Sequence, residues 1–234
     1  MSNKVCAIIG FGPGLGAAYA SVFQEAGYDL ALLSRSGAGS DALGATEAKV
    51  KAYTVDAGDP EDLIAALEAA ESDLGEIGVV IYNAGLATFG PLEEISAEQF
   101  EQSWRVGALG LFAAAKQLAP KMIKRGSGTI LVSGATAALR GNVWTTAFAP
   151  SKSAQRNLAQ SLAKQLGPKG IHVAYMIIDG VIDTADTRQG FALGKPDDFF
   201  IKPEEIAKTA LTIAKQDRSA WTFEVDLRPF GEIW

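Results

Sequence analysis

Residues 5–16 read VCAIIGFGPGLG, and this stretch predicts the fold. Its first half, Val5–Ile9, is a short apolar run that is typical of a strand buried on both faces of a parallel sheet. Its second half is a glycine-rich turn, and the apolar residues of Leu15–Ala26 then recur with helical spacing. A strand, a glycine turn and a helix in this order form the first unit of a dinucleotide-binding sheet.

The same alternation continues along the chain. Further strands are predicted at Asp29–Ser34, Lys51–Val55, Gly78–Tyr82, Thr129–Val132, His172–Ile178 and Trp221–Asp226. Further helices are predicted at Glu61–Leu74, Ala97–Lys124, Phe148–Leu166 and Pro203–Lys215. Strands and helices in alternation imply right-handed crossovers. We therefore expect an α/β fold over residues 1–234: one Rossmann-like, doubly wound, parallel seven-stranded sheet with helices on both faces, in a single domain.

Composition narrows the possible partners. The 234 residues carry a formal net charge of −6, and 48% of them are hydrophobic. An acidic chain is a poor ligand for nucleic acid or for an anionic membrane surface, so neither is expected as a partner. Cys6 is the only cysteine and no cluster of metal ligands has zinc spacing, so no metal site is expected. Without a signal-peptide pattern or a membrane-length apolar run, the expected location is the cytoplasm.

The glycine turn has the spacing Gly10-x3-Gly14-x-Gly16, with a further glycine at Gly12. Glycines at a strand-to-helix junction let the backbone approach a pyrophosphate, whose charge the free N–H groups of the helix N-terminus attract. We predict that these glycines and Leu15 contact a dinucleotide. The alternative is a tight turn that binds no ligand.

The end of the second strand indicates which dinucleotide. An acidic residue there would bind the ribose 2′-hydroxyl of NAD, but the sequence reads Ser34-Arg35. An arginine and a hydroxyl suit a 2′-phosphate, so NADP is the expected cofactor, with NAD as the alternative. Arg35 would otherwise be an ordinary surface charge.

At this point the chain resembles the short-chain dehydrogenase/reductase family over nearly its whole length. Four features occur in the family's order: the glycine turn, Asp56 after the third strand, Asn83-Ala84-Gly85 after the fourth, and Lys152 on the helix after the fifth. The resemblance implies a homodimeric or homotetrameric NAD(P) oxidoreductase that acts on a small carbonyl compound or alcohol. It also implies further cofactor contacts at Asp56, Ala57, Asn83, Ala84, Gly85, Lys152, Ile182 and Thr184.

The chain departs from the family where catalysis takes place. The family's Tyr-x3-Lys element reads Phe148-Ala149-Pro150-Ser151-Lys152, its catalytic serine falls on Ala135, and its helical asparagine falls on Gly107. Lys152 is the one catalytic residue that the resemblance leaves. A phenylalanine cannot protonate the alkoxide that carbonyl reduction forms, and loss of a positioned acid typically costs about 10²–10⁴ in rate.

Two interpretations stay open at this stage. The first is an atypical oxidoreductase in which Ser133 or Thr136 supplies a hydroxyl, Lys152 acts as an acid through water, or the acceptor is an activated alkene that needs less help from a proton. The second is a non-catalytic NADP-binding module, such as a redox sensor, a regulator or a partner subunit. A structural subunit that has lost the cofactor is a weaker third possibility, because the glycine turn is intact.

Three further expectations concern the pocket and the surface. Residues 183–202 are predicted to cover the substrate. The aromatic side chains Trp144, Phe148, Phe191, Phe199 and Phe200 either line the pocket or belong to the core or to an interface. His172 is expected to be structural, and Arg156 is expected to lie on a solvated helix face.

Overall fold

The computed structural model describes residues 4–37 and 47–232, and every element named below lies in these ranges. The strands are β1 (Lys4–Ile9), β2 (Tyr28–Ser34), β3 (Val50–Thr54), β4 (Ile77–Tyr82), β5 (Gly128–Ser133), β6 (Ile171–Ile178), β7 (Val181–Ile182), β8 (Phe200–Ile201) and β9 (Glu224–Leu227). The α-helices are α1 (Leu15–Glu25), α2 (Pro60–Leu74), α3 (Ala97–Trp104), α4 (Gly110–Arg125), α5 (Phe148–Leu166), α6 (Ala185–Gln189) and α7 (Pro203–Ala214). The predicted alternation is confirmed.

Seven strands form one parallel sheet in the order β3-β2-β1-β4-β5-β6-β9. The chain order reverses between β1 and β4, where Ile9 pairs with Tyr82 at the carboxyl ends of the two strands. Ligands of doubly wound sheets bind at such a switch point, outside the carboxyl ends. We therefore expect a ligand site at the loops that follow β1 and β4.

Helices cover both faces of the sheet. One hydrophobic core packs α1 and α7 against the sheet, and it includes Tyr19, Phe23 and Ile206. The other core packs α2, α4 and α5 against the opposite face. Most sheet residues are buried, as the near-continuous apolar strands predicted. The two-sided burial fixes the strand ends rigidly enough to position side chains beyond them.

Two elements differ from the prediction by more than one residue at a boundary. The helix predicted over Ala97–Lys124 is interrupted by a π-turn at Arg105–Leu109, between α3 and α4. A π-turn inserts one residue and shifts the helical phase beyond it, and a shift confined to one turn is too local for the apolar spacing to reveal. The strand predicted at Trp221–Asp226 is β9, which begins at Glu224 instead, and the Trp221 ring that precedes it stacks on His172.

Candidate active site

The glycine turn is folded tightly against the end of β4. Gly10 has φ +91°, and a Cβ there would lie 2.5 Å from the Ala84 nitrogen. The side-chain amide of Asn83 donates to the Gly10 carbonyl at 2.9 Å. These contacts join the ends of β1 and β4, so Gly10, Asn83 and Ala84 form the floor of one cleft.

The glycine turn also leaves the start of α1 open. Gly14 is the N-cap, and no side chain caps the helix. A Cβ on Gly14 would lie 2.9 Å from the methyl group of Thr184. A cavity of about 250 Å³ is lined there by Gly10, Gly12, Pro13, Gly14, Leu15, Gly16, Asn83, Thr184, Ala185 and Asp186. Uncapped N–H groups beside a cavity of this size suit a phosphate group.

The cleft continues past the end of β2. A second cavity, of about 190 Å³, is lined by Gly10, Phe11, Leu33, Ser34, Arg35, Val55, Asp56, Ala57, Asn83, Ala84, Gly85, Leu86, Gln102 and Val106. The carboxylate of Asp56 accepts the Gly58 N–H at 2.8 Å, which fixes its orientation. Arg35 is exposed, and within residues 4–37 and 47–232 its guanidinium makes no ion pair. The structure therefore brings Ser34, Arg35, Asp56 and Ala57 together at one end of the cleft.

A wider pocket of about 650 Å³ lies at the other end. Predicted cofactor residues that line it are Leu15, Asn83, Gly85, Lys152 and Ile182. Its other lining residues include Phe89, Ala135, Thr136, Arg140, Asn142, Thr145, Phe148, Asp179 and Glu232. The pocket therefore adjoins the predicted cofactor residues at this end of the cleft.

Lys152 is buried at the edge of this pocket. Its ammonium donates to the Ser133 carbonyl at 2.8 Å and to the side-chain oxygen of Gln155 at 3.1 Å. Burial lowers the pKa of Lys152 to about 8, because water no longer solvates the charge fully. A Cβ on Gly85 would lie 3.5 Å from the Lys152 Nζ, so the amine faces the floor of the cleft.

Phe148, which the resemblance aligns with the family's tyrosine, lies against another aromatic ring. The Phe148 ring packs against Phe89 with a centroid distance of 5.0 Å. Of the predicted aromatic wall, only Phe148 lines the pocket. Phe200 is buried in β8, and Trp144 and Phe191 are exposed outside the pocket. Phe89, which the sequence reasoning missed, takes their place.

The hydroxyl that Ser133 was expected to offer is directed elsewhere. Ser133 is the last residue of β5, and its Oγ lies 3.0 Å from the Tyr19 hydroxyl, on the face of the sheet that α1 covers. The expectation for Ser133 is therefore wrong, and Thr136 keeps the nearer hydroxyl in the pocket. The buried Tyr175 hydroxyl is also committed, because it donates to the Lys152 carbonyl at 3.3 Å.

Gly107 lies in the π-turn between α3 and α4. A Cβ on Gly107 would overlap the Ser151 hydroxyl, which is buried and donates to the Ser103 carbonyl at 2.7 Å. An asparagine cannot be accommodated here unless Ser151 moves. The loss of the family's asparagine is thus built into the packing of α5 against the π-turn.

Two other expectations meet the structure outside the cleft. His172 is structural as predicted: its Nε2 lies 2.8 Å from the Thr222 carbonyl and its ring stacks on Trp221. The expectation that Arg156 lies on a solvated face is wrong, because its guanidinium makes a two-point ion pair with Glu224 at 2.5 and 2.9 Å. That pair joins α5 to β9.

Residues 183–202 lie beside the glycine turn. They contain α6 and β8, and β8 pairs with β7 in a separate two-stranded parallel sheet. Within the described residues, this segment contributes Thr184, Ala185 and Asp186 to the cavity at the turn and none to the wider pocket. Its role as a substrate cover stays a prediction.

Residues 4–37 and 47–232 contain neither a metal-ligand cluster nor a membrane-spanning helix. No group of three His, Cys, Asp or Glu side chains is placed to hold a metal ion. No helix there is both long and apolar enough to cross a membrane.

Comparison with known proteins places the chain in a family. The family model described as short chain dehydrogenase matches residues 4–192. A 2-(S)-hydroxypropyl-CoM dehydrogenase of Xanthobacter autotrophicus is 29% identical, over 90% of this chain and 89% of that protein. A 3-oxoacyl-acyl-carrier-protein reductase of Thermotoga maritima is 28% identical, over 96% of each chain. A crystal structure of a blue fluorescent protein from a metagenomic library, in complex with NADPH, superposes with a TM-score of 0.83 at 26% identity and 97% coverage of both chains. The chain belongs to the family of short-chain dehydrogenases.

Proposed function

We propose that this protein is an NADP-dependent oxidoreductase whose acceptor takes a hydride without a proton from a tyrosine. The observation that carries the proposal is the contrast within one cleft. The cavity of about 250 Å³ at the start of α1, here called the phosphate cavity, and the cavity of about 190 Å³ beyond β2, here called the adenosine cavity, have residues that suit a dinucleotide. The wider pocket, here called the reacting end, presents the Phe148 ring instead. An activated alkene or a quinone-like compound is the acceptor class that this site suits best.

The residues of the cleft fit NADP. The uncapped start of α1 would hold the pyrophosphate, and Arg35 with Ser34 would hold the 2′-phosphate. Lys152 would donate to the ribose beside the nicotinamide. When bound, NADPH supplies a hydride. Support comes from the metagenomic relative whose structure contains NADPH.

Proton supply decides the acceptor class. Phe148 and Ala135 offer neither an acid nor a hydroxyl, so a simple ketone would leave an alkoxide with little stabilisation. A conjugated acceptor spreads the new negative charge over several atoms, and water can protonate it after the hydride has moved. Thr136 and Lys152 remain as donors, and the lowered pKa of Lys152 lets it give up a proton near pH 8.

Deuterium transfer tests this proposal. NADPH labelled with deuterium on its transferable position is incubated with the protein and a small quinone, a conjugated enone or the matched saturated ketone. We expect the enone product to carry one deuterium on its β-carbon. The quinone is followed by the oxidation of NADPH, because a hydroquinone exchanges the transferred deuterium with water, and we expect at least about 10²-fold less product from the ketone than from the enone.

The alternative is an NADP-binding module without turnover. The loss of every family donor except Lys152 favours it. NADPH binding without deuterium transfer to the enone and without NADPH oxidation by the quinone would contradict the proposed oxidoreductase and support this alternative.

We also propose that the protein is a cytoplasmic homodimer or homotetramer. The partly exposed side chains Phe100, Trp104 and Phe112 lie on neighbouring helices α3 and α4. Apolar side chains grouped on one surface are commonly covered by another subunit. A monomeric mass by light scattering at micromolar concentration would contradict this.

A further inference from the structure

Gln155 makes an unusual bridge beneath the reacting end of the cleft. It is completely buried on α5, three residues after Lys152. Its side-chain oxygen accepts from the Lys152 ammonium at 3.1 Å, and its side-chain nitrogen donates to the Gly107 carbonyl at 2.9 Å. Both ends of the amide are thus used, one on the lysine and one on the π-turn.

The bridge determines where Lys152 can direct its remaining proton. An ammonium has three N–H groups, and the Ser133 carbonyl and Gln155 accept two of them. Gly85, which lines the wider pocket together with Lys152, lies next to the amine. One N–H therefore remains for a ligand in the cleft.

We propose that Gln155 is a positioning residue of the cofactor site: it ties Lys152 to the π-turn and leaves a single N–H directed at the cofactor. This inference rests on the proposed function for the identity of the ligand. The hold on Lys152 itself is a property of the free protein. Gln155 also stabilises the charged amine, because an amide oxygen is a good acceptor for an ammonium.

Other polar groups near the lysine do not replace this bridge. Arg140, Asp179 and Glu232 line the same pocket, and Tyr175 packs behind it. The hydrogen bonds that Lys152 Nζ makes within the described residues go to Ser133 and Gln155. Asp179 lies 3.7 Å from the Arg228 guanidinium, its own partner. A change at Gln155 should therefore act on Lys152 directly.

Two substitutions of similar shape separate positioning from packing. Gln155→Met removes the acceptor, and Gln155→Glu replaces it with a carboxylate. The pKa of Lys152 is read from the 13Cε chemical shift of labelled lysine during a pH titration, with Lys152→Arg identifying the signal. We expect the methionine to lower the pKa by about one pKa unit and the glutamate to raise it. A purely structural role predicts no such pair of opposite shifts.

The cofactor provides the second reading. We expect NADPH to bind about tenfold more weakly to the Gln155→Met protein, with Gln24→Met, a buried glutamine exchanged on α1 across the sheet, close to wild type. Equal Lys152 pKa values in wild type and both variants would overturn the proposal, and so would unchanged NADPH affinity in Gln155→Met. If wild-type protein binds no NADPH, the proposed function fails, while the lysine titration still decides the role of Gln155 in the free protein.

Discussion

The two ends of the cleft are built from different materials. The phosphate end is made largely of backbone, since Gly10, Gly14 and Gly16 pack where a Cβ would collide with neighbouring atoms. The reacting end is made of side chains, and there Phe148 and Ala135 stand where the family has a tyrosine and a serine. This difference means that the glycine turn is held by backbone packing, whereas the chemistry of the reacting end depends on individual side chains.

Restoring the side chains of the reacting end should have the largest effect. Phe148→Tyr with Ala135→Ser supplies an acid and a hydroxyl beside Lys152, so we expect ketone reduction to rise by about 10²–10⁴-fold. The rate of NADPH oxidation with a small ketone measures it. Adding Lys152→Met to the pair should remove most of the gain. No gain would mean that the pocket, and not only its donors, has changed.

The second prediction concerns the glycine turn. A methyl group at Gly10 would meet the Ala84 backbone at a positive φ, so Gly10→Ala should lower the free energy of unfolding by about 2–3 kcal/mol. Gly12→Ala is the matched control, because no atom lies within 4 Å of its Cβ position. Chemical denaturation of the free proteins measures both. Similar stability of the two variants would show that the turn is looser than described.

Lys152 lines the reacting end of the cleft, and its burial should make the free energy of unfolding depend on pH. Its folded pKa of about 8 lies below the ordinary lysine value of 10.5, so between these values the unfolded chain binds the proton that the folded chain lacks. Stability should therefore rise with pH, by about 2 kcal/mol from pH 8 to pH 10 relative to Lys152→Met. Denaturation is followed only to pH 10, because burial raises the pKa of Tyr19, Tyr82 and Tyr175 and their ionisation would oppose folding at higher pH. Parallel curves for the two proteins would contradict the burial of the amine.

The smallest expected effect is at the adenosine cavity. Arg35→Ala should weaken NADPH binding about tenfold and leave NADH binding unchanged, because only NADPH carries the 2′-phosphate. Arg140→Ala removes an exposed arginine at the other end of the cleft and should leave the NADPH preference intact. Equal losses for NADPH and NADH in Arg35→Ala would remove the argument for a 2′-phosphate contact.

The sequence was most informative where structure is periodic or glycine is required. The alternation of strands and helices predicted the sheet, and the glycine spacing predicted the tight turn between β1 and α1. The direction of Ser133 was not predictable, because a strand buried on both faces gives no alternation to show which way a side chain points. Gln155 had a partial signal, since three-residue spacing places it beside Lys152 on the helix. Its second contact, with Gly107, spans 48 positions in the chain and depends on how α5 packs against the π-turn.

The most direct test is calorimetric titration of the free protein with NADPH and then with NADH. If the glycine turn and the cavities beside it form a cofactor site, we expect one NADPH site per chain with micromolar affinity and weaker binding of NADH. If neither dinucleotide binds, the glycine turn is only a tight junction between β1 and α1, and the contrast between the two ends of the cleft no longer describes a cofactor site.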